Sequence, residues 1–143
     1  MDRKFYRAID ANLNRVREAL RVAEDVARFL LDSPTLTRGL KTIRHGVSDC
    51  IRTLPRYRSE IIVSRAPDTD VGRPTLACEL KRRDAADILF ANIERAKESL
   101  RVLEEFFKIV DGERAERFKG LRYELYAIEK KAACRLASLR GRR

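Results

Sequence analysis

The sequence predicts an all-α protein, a four-helix bundle built from two pseudo-symmetric helical hairpins with a long central loop. Apolar residues recur at three- and four-residue spacing in four stretches of similar length, the mark of helices with one buried stripe. Only 6 Gly and 4 Pro occur in 143 residues, too few for a strand-and-turn architecture. The stretch ANLNRVREALRVAED, Ala11 to Asp25, returns eighty positions later as ANIERAKESLRVLEE, Ala91 to Glu105. Such self-similarity points to one supersecondary unit used twice.

The first helix is expected from about Lys4 to Leu31, with Ile9, Leu13, Val16, Leu20, Ala23, Ala27 and Leu30 on its apolar stripe. Asp32, Ser33 and Pro34 stop it and start the second, Ser33 as N-cap and Pro34 at the first helical position. The second runs to about Leu54 through Leu36, Leu40, Ile43, Val47 and Cys50, and Pro55 ends it. Asp84 caps the third, whose stripe is Leu89, Ile93, Ala96, Leu100, Leu103, Phe107 and Val110. The Asp111-Gly112 turn closes it, and a fourth follows from about Arg114 to Leu139. One domain is expected over 1–143: hairpin one at about 4–54, a loop at about 55–84, hairpin two at about 85–139 and a basic tail at 140–143. EIIV in the loop suits either a helical extension or a lone strand.

Each hairpin repeats a set of polar residues. Asn12, Arg15, Glu18, Arg21 and Glu24 return as Asn92, Arg95, Glu98, Arg101 and Glu104. Lys41 and Arg44 of the second helix match Lys119 and Arg122 of the fourth. The alternating Arg and Glu form ladders of the kind that stabilise exposed helices, and Glu18 and Glu98 fit that bland reading. Asn12 and Asn92 do not, because Asn is a mediocre helix former that belongs beside a core when it bonds something. Ala19 and Ser99 leave room next to each Asn-Arg pair. Val22, Val26, Phe29 and Val102, Phe106, Ile109 widen the apolar face beyond it.

A net charge of +10 indicates an anionic partner. No apolar run approaches the roughly 20 residues of a membrane span, and MDRKFYRAID has no signal-peptide core, so a cytoplasmic location without membrane contact is expected. Cys50, Cys78 and Cys134 are far apart and odd in number, which suits buried free thiols rather than zinc ligands or disulfides. His45 is the only histidine, read as a helix-surface residue, and no P-loop, nucleophile elbow or H-E-x-x-H is present. The abundant Arg, Lys and carboxylate suit phosphate binding and transfer, which depend on positioning and charge neutralisation.

IDANLNRVREALRVAEDVARF, the R-x-x-x-x-D-x-G loop at Arg65, Asp70 and Gly72, and FANIERAKESLRVLEEFFK followed by FKGLRYELYAIE together resemble the hydroxymethylpyrimidine phosphate kinase domain of thiamine biosynthesis. That domain occurs alone or fused ahead of thiamine-phosphate synthase, whose barrel is not in this sequence. The resemblance implies ATP-dependent phosphorylation of hydroxymethylpyrimidine phosphate to the diphosphate, with Mg²⁺. The family loop often reads R-D-T before D-x-G, whereas Arg65 here precedes Ala66 and Pro67. The resemblance brings no catalytic assignments, and it is the repeat itself that leads to Arg15 and Arg95 as the expected catalytic residues in one or two phosphate pockets between the hairpins. Asn12, Asn92, Lys41, Arg44, Lys119, Arg122, Arg65 and Gly72 bind substrate, and Asp70 partners the metal. The partners are a phosphorylated pyrimidine and ATP. A homodimer, or an assembly or docking domain of a thiamine-phosphate synthase, is the alternative from the apolar faces. A basic nucleic-acid module is weaker, because aromatics are only 7% of the chain and do not alternate with a basic stripe. A helical enzyme that clamps a dicarboxylate with arginines is a further alternative.

Overall fold

The computed structural model describes residues 2–54, 57–72 and 81–140. Its long helices are α1 (Arg3–Asp25), α2 (Pro34–Arg52), α3 (Ala85–Val110) and α4 (Gly112–Arg140), and among the described residues there is no strand. The all-α prediction holds. No described helix is long and apolar enough to cross a membrane.

α1 begins at Asp2, whose carboxylate accepts the Lys4 N–H at 3.2 Å, and passes into one π-helical turn, Val26–Leu30. That wider turn slips the register of the stripe. Leu30, expected inside, is 61% exposed beside Phe29 at 62%. Asp32 then takes a left-handed conformation (φ 44°), which its short polar side chain tolerates, and Ser33 caps α2 by accepting from Leu36 N. Pro34 occupies the first turn as expected.

EIIV falls within helical turns: Tyr57–Ile61 is π-helical and Ile62–Ser64 is 3₁₀, followed by a second 3₁₀ turn at Pro67–Thr69. Pro74 and Cys78 lie outside the described residues, as do 141–143 of the basic tail. Asp84 caps α3 by accepting the Asp87 N–H, and Asp87 accepts the Arg83 N–H in return. The α3–α4 link is one residue, so α4 starts at Gly112 rather than Arg114. The Asp111 N–H closes α3 on the Phe107 carbonyl at 2.7 Å, and its carboxylate opens α4 by accepting the Arg114 N–H at 3.2 Å.

The helices close a square in which α1 packs on α2 and α3, and α4 packs on α3 and α2. α1 and α3 run antiparallel, since Phe5 at the start of α1 stacks 4.8 Å from Phe106 near the end of α3. α2 and α4 do the same, with Gly39 against Ile128 and Gly46 against Leu121. A Cβ on Gly46 would sit 2.6 Å from Leu121 Cδ2, so glycine sets this close approach. Leu13, Val16, Leu20, Leu40, Ile43, Leu100, Leu103, Phe107, Phe118 and Leu125 fill the middle. Cys50 is buried there, and burial pushes its thiol pKa up. Cys134 is exposed on α4, contrary to expectation, because it falls off that helix's buried stripe. His45 is exposed on α2.

Candidate functional site

The repeat places its polar residues around one cavity. Between α1 and α3 lies a space of about 610 Å³ lined by Asn12, Arg15, Glu18, Ala19 and Val22, and by Asn92, Arg95, Glu98, Ser99 and Val102. These are five pairs related by the eighty-residue repeat. The antiparallel crossing sets the Asn-Arg end of each helix against the small and apolar residues of the other. Asn12 and Asn92 are anchored alike, their side-chain amides donating to the Ala8 and Ile88 carbonyls at 2.9 and 2.8 Å. Their carbonyl oxygens have no partner among the described residues. Arg15 and Arg95 are exposed to the cavity and, among the described residues, form no ion pair.

Glu18 and Glu98 depart from the surface-ladder expectation. Both line the cavity, and neither pairs with the arginine three residues before it. The ladder forms only further along, at Arg21–Glu24 (3.5 Å) and Arg101–Glu104 (2.9 Å).

The long loop reaches the same neighbourhood. Arg65 binds Asp10 through two hydrogen bonds of 2.6 and 2.9 Å, a bidentate pair on a carboxylate that is 5% exposed. This seats Arg65, Ala66, Pro67 and Asp70 over a second cavity of about 530 Å³, which also takes in Lys4 and Arg7 and shares Asn12 and Arg15 with the first. Asp10 went unnoticed in the sequence, and so did Lys4 and Arg7. The signal was available: at these positions the repeat fails, with Phe90, Asp84 and Asp87 as counterparts. Gly72 N donates to Asp70 Oδ1 at 3.0 Å, which folds the D-x-G into a local turn.

The K-x-x-R residues are elsewhere. Lys41 and Lys119 are exposed and line neither of the two cavities. Arg44 donates to the buried Glu24 at 2.9 Å and faces a groove of about 480 Å³ beside Glu18 and Val22. Arg122 donates to the buried Glu104 at 2.8 Å and to the Tyr126 hydroxyl at 2.8 Å. The Glu104 hydrogen bond raises the Arg122 pKa. These arginines are held by carboxylates instead of being offered, one helical turn from a lysine, to a phosphate.

The donor set does not enclose a magnesium ion. Asp70 uses one oxygen in its own turn, Asp10 is occupied by Arg65, and among the described residues no three His, Cys, Asp or Glu side chains converge.

A protein-family model described as the ThiD2 family matches residues 7–131. A protein of Rhodopirellula baltica named thiamine-phosphate synthase is 37% identical over 141 residues, which cover 98% of this chain and 37% of that protein. A thiamine-phosphate synthase of Synechocystis sp. is 39% identical over 124 residues, covering 86% of this chain and 34% of its own length. Another, from Synechococcus sp. strain CC9311, is 41% identical over 127 residues, 86% of this chain and 33% of its own length. The chain thus spans about a third of the curated relatives it matches. No solved structure matches. These comparisons support a domain of thiamine biosynthesis and overturn the expectation of an ATP-dependent kinase, since the relatives are named for the synthase and not for phosphorylation. Neither a kinase activity nor an ATP co-substrate is supported by them.

Proposed function

Because the chain belongs to the ThiD2 family, we propose that it serves as the helical domain of a thiamine-phosphate synthase, docking on the synthase portion and holding a phosphorylated pyrimidine between α1 and α3. The observation that carries this is coverage: nearly the whole chain aligns with a third of proteins bearing that name, leaving about two thirds of each as the portion to dock on.

Two features of the molecule support the reading. Phe29 and Leu30 at the end of α1, and their repeat counterparts Ile109 and Val110 at the end of α3, are exposed apolar residues. The antiparallel crossing sends them to opposite ends of the α1–α3 layer, so each end offers an apolar contact. Between those ends, Arg15 and Arg95 are guanidinium groups without carboxylate partners among the described residues, suited to phosphate oxygens. Any Mg²⁺ arrives with the ligand's phosphates, the usual habit of an ion that binds through few protein carboxylates.

The part of the Rhodopirellula baltica relative that has no counterpart here, expressed alone and supplied with this chain in trans, tests the proposal. Thiamine phosphate formation is then followed at limiting pyrimidine substrate. The chain is expected to lower the KM for the pyrimidine several-fold, and Arg15→Ala is expected to abolish that gain. Unchanged kinetics over a saturating range of the chain refute the role.

A further inference from the structure

The two halves of the central cavity are unequal, and we infer that they take different ends of one ligand: the half built by Asn12, Arg15 and Ser99 binds the phosphate, and the half built by Asn92, Arg95 and Ala19 takes the uncharged ring. This rests on the reading that the cavity holds a phosphorylated small molecule. It adds a direction to a site whose ten lining residues are otherwise paired by the repeat.

Three breaks in the repeat agree on that direction. The first is Ser99 itself. It is 3% exposed, lines the cavity, and its hydroxyl has no hydrogen-bond partner among the described residues. Thr37, Thr42 and Ser48 return their hydroxyls to a carbonyl four residues back, the usual resort of such a group in a helix. Ser99 does not, so its hydroxyl, open to the cavity, is left to donate to whatever the cavity holds. Its counterpart Ala19 offers nothing polar. With α1 and α3 antiparallel and Phe5 against Phe106, Ser99 lies at the level of Asn12 and Ala19 at the level of Asn92; Arg15 and Arg95 face each other between them, each leaning toward the start of its own helix.

The second break is the loop. Arg65 fastens to Asp10, and the equivalent position on α3 is Phe90, which has no carboxylate to hold a guanidinium. Among the described residues, the loop therefore closes over the Asn12–Arg15 half. The third is charge. The first turns of α1 carry Lys4 and Arg7 on the wall shared with Arg15, where the matching positions of α3 carry Asp84 and Asp87. Cations that share a cleft concentrate anions in it, whereas the mirror positions add no cation, and Asp87 there is already paired with Arg83.

Titration of the full chain with inorganic phosphate, followed by amide NMR shifts, tests this. Saturable shifts are expected to centre on Asn12, Arg15 and Ser99. Ser99→Ala is expected to weaken binding roughly tenfold, as loss of a hydrogen bond to a charged group does, while Ser99→Thr retains most of it. Arg15→Ala is expected to cost at least about tenfold more than Arg95→Ala, with the spectra of all variants showing an intact fold. Equal losses from the two arginine variants, with Ser99→Ala indistinguishable from wild type, overturn the polarity and leave the cavity an anion site. No saturable shift in the wild-type protein overturns both.

Discussion

Glu24 and Glu104 are each 4% exposed, and each is gripped by two arginines, one on its own helix and one on the next. Water has been removed from both carboxylates, so the guanidinium groups supply nearly all of their solvation. Removing one partner from such a pair leaves a buried charge, at a cost of about 3–5 kcal/mol. Arg122→Ala is therefore expected to destabilise the fold by about 3 kcal/mol or more in urea unfolding, and Arg44→Ala by less, because Arg44 is more exposed. Equal midpoints for wild type and Arg122→Ala would contradict this. The same pairs engage two of the residues expected to bind substrate, Arg44 and Arg122. Lys41 and Arg44 recur in register as Lys119 and Arg122, which looked like a phosphate clip. The recurrence of Glu24 and Glu104 on the facing helix, the partner that claims each arginine, was equally present in the sequence. Helical periodicity places a residue on its own helix but does not say which side chain of a neighbouring helix it meets.

Within elements, the caps and links decide where each helix stops. Asp87 lies against Arg83, and the side-chain hydrogen bond from that guanidinium, helped by the Arg83 backbone N–H, lowers its pKa from 3.8 to about 2. A carboxylate whose folded-state pKa is depressed adds stability above its unfolded pKa, and that stability is lost as pH falls through the folded value. Asp87→Asn is thus expected to be less stable than wild type at pH 5 and to converge with it between about pH 4 and pH 2, as followed by urea unfolding at each pH. A gap as large at pH 2 as at pH 5 would rule out this linkage. At the α1–α2 link, Asp32 sits at φ 44°, where a β-branched side chain is strained; Asp32→Val is expected to cost about 1–2 kcal/mol and Asp32→Gly close to nothing. Ser33-Pro34 announced this link in the sequence. The π-helical turn at Val26–Leu30 did not, because its extra residue per turn leaves the apolar composition unchanged and alters only the register, so Leu30 was placed inside and is found outside.

At the scale of the molecule, the four stripes and the doubled ANxxRxxE segment sufficed to indicate an all-α bundle of two hairpins. They also drew Asn12, Arg15, Asn92 and Arg95 together, and all four line one cavity. The direction in which the hairpins cross was not legible, since internal symmetry alone is satisfied by more than one packing. Nor was the activity. The residue inventory suits any chemistry that brings anions together, and the relatives' names point to the synthase rather than to phosphorylation. A bundle that works, as proposed, within a thiamine-phosphate synthase must associate with the rest of it, and that association is the most direct consequence to measure. Sedimentation velocity of the chain mixed with the separately expressed remainder of the Rhodopirellula baltica relative measures it. A one-to-one complex is predicted that dissociates when Phe29 and Ile109 are both replaced by Asp, with the bundle still helical by circular dichroism. Two independent boundaries at every concentration tested, or a complex indifferent to that double substitution, would contradict it.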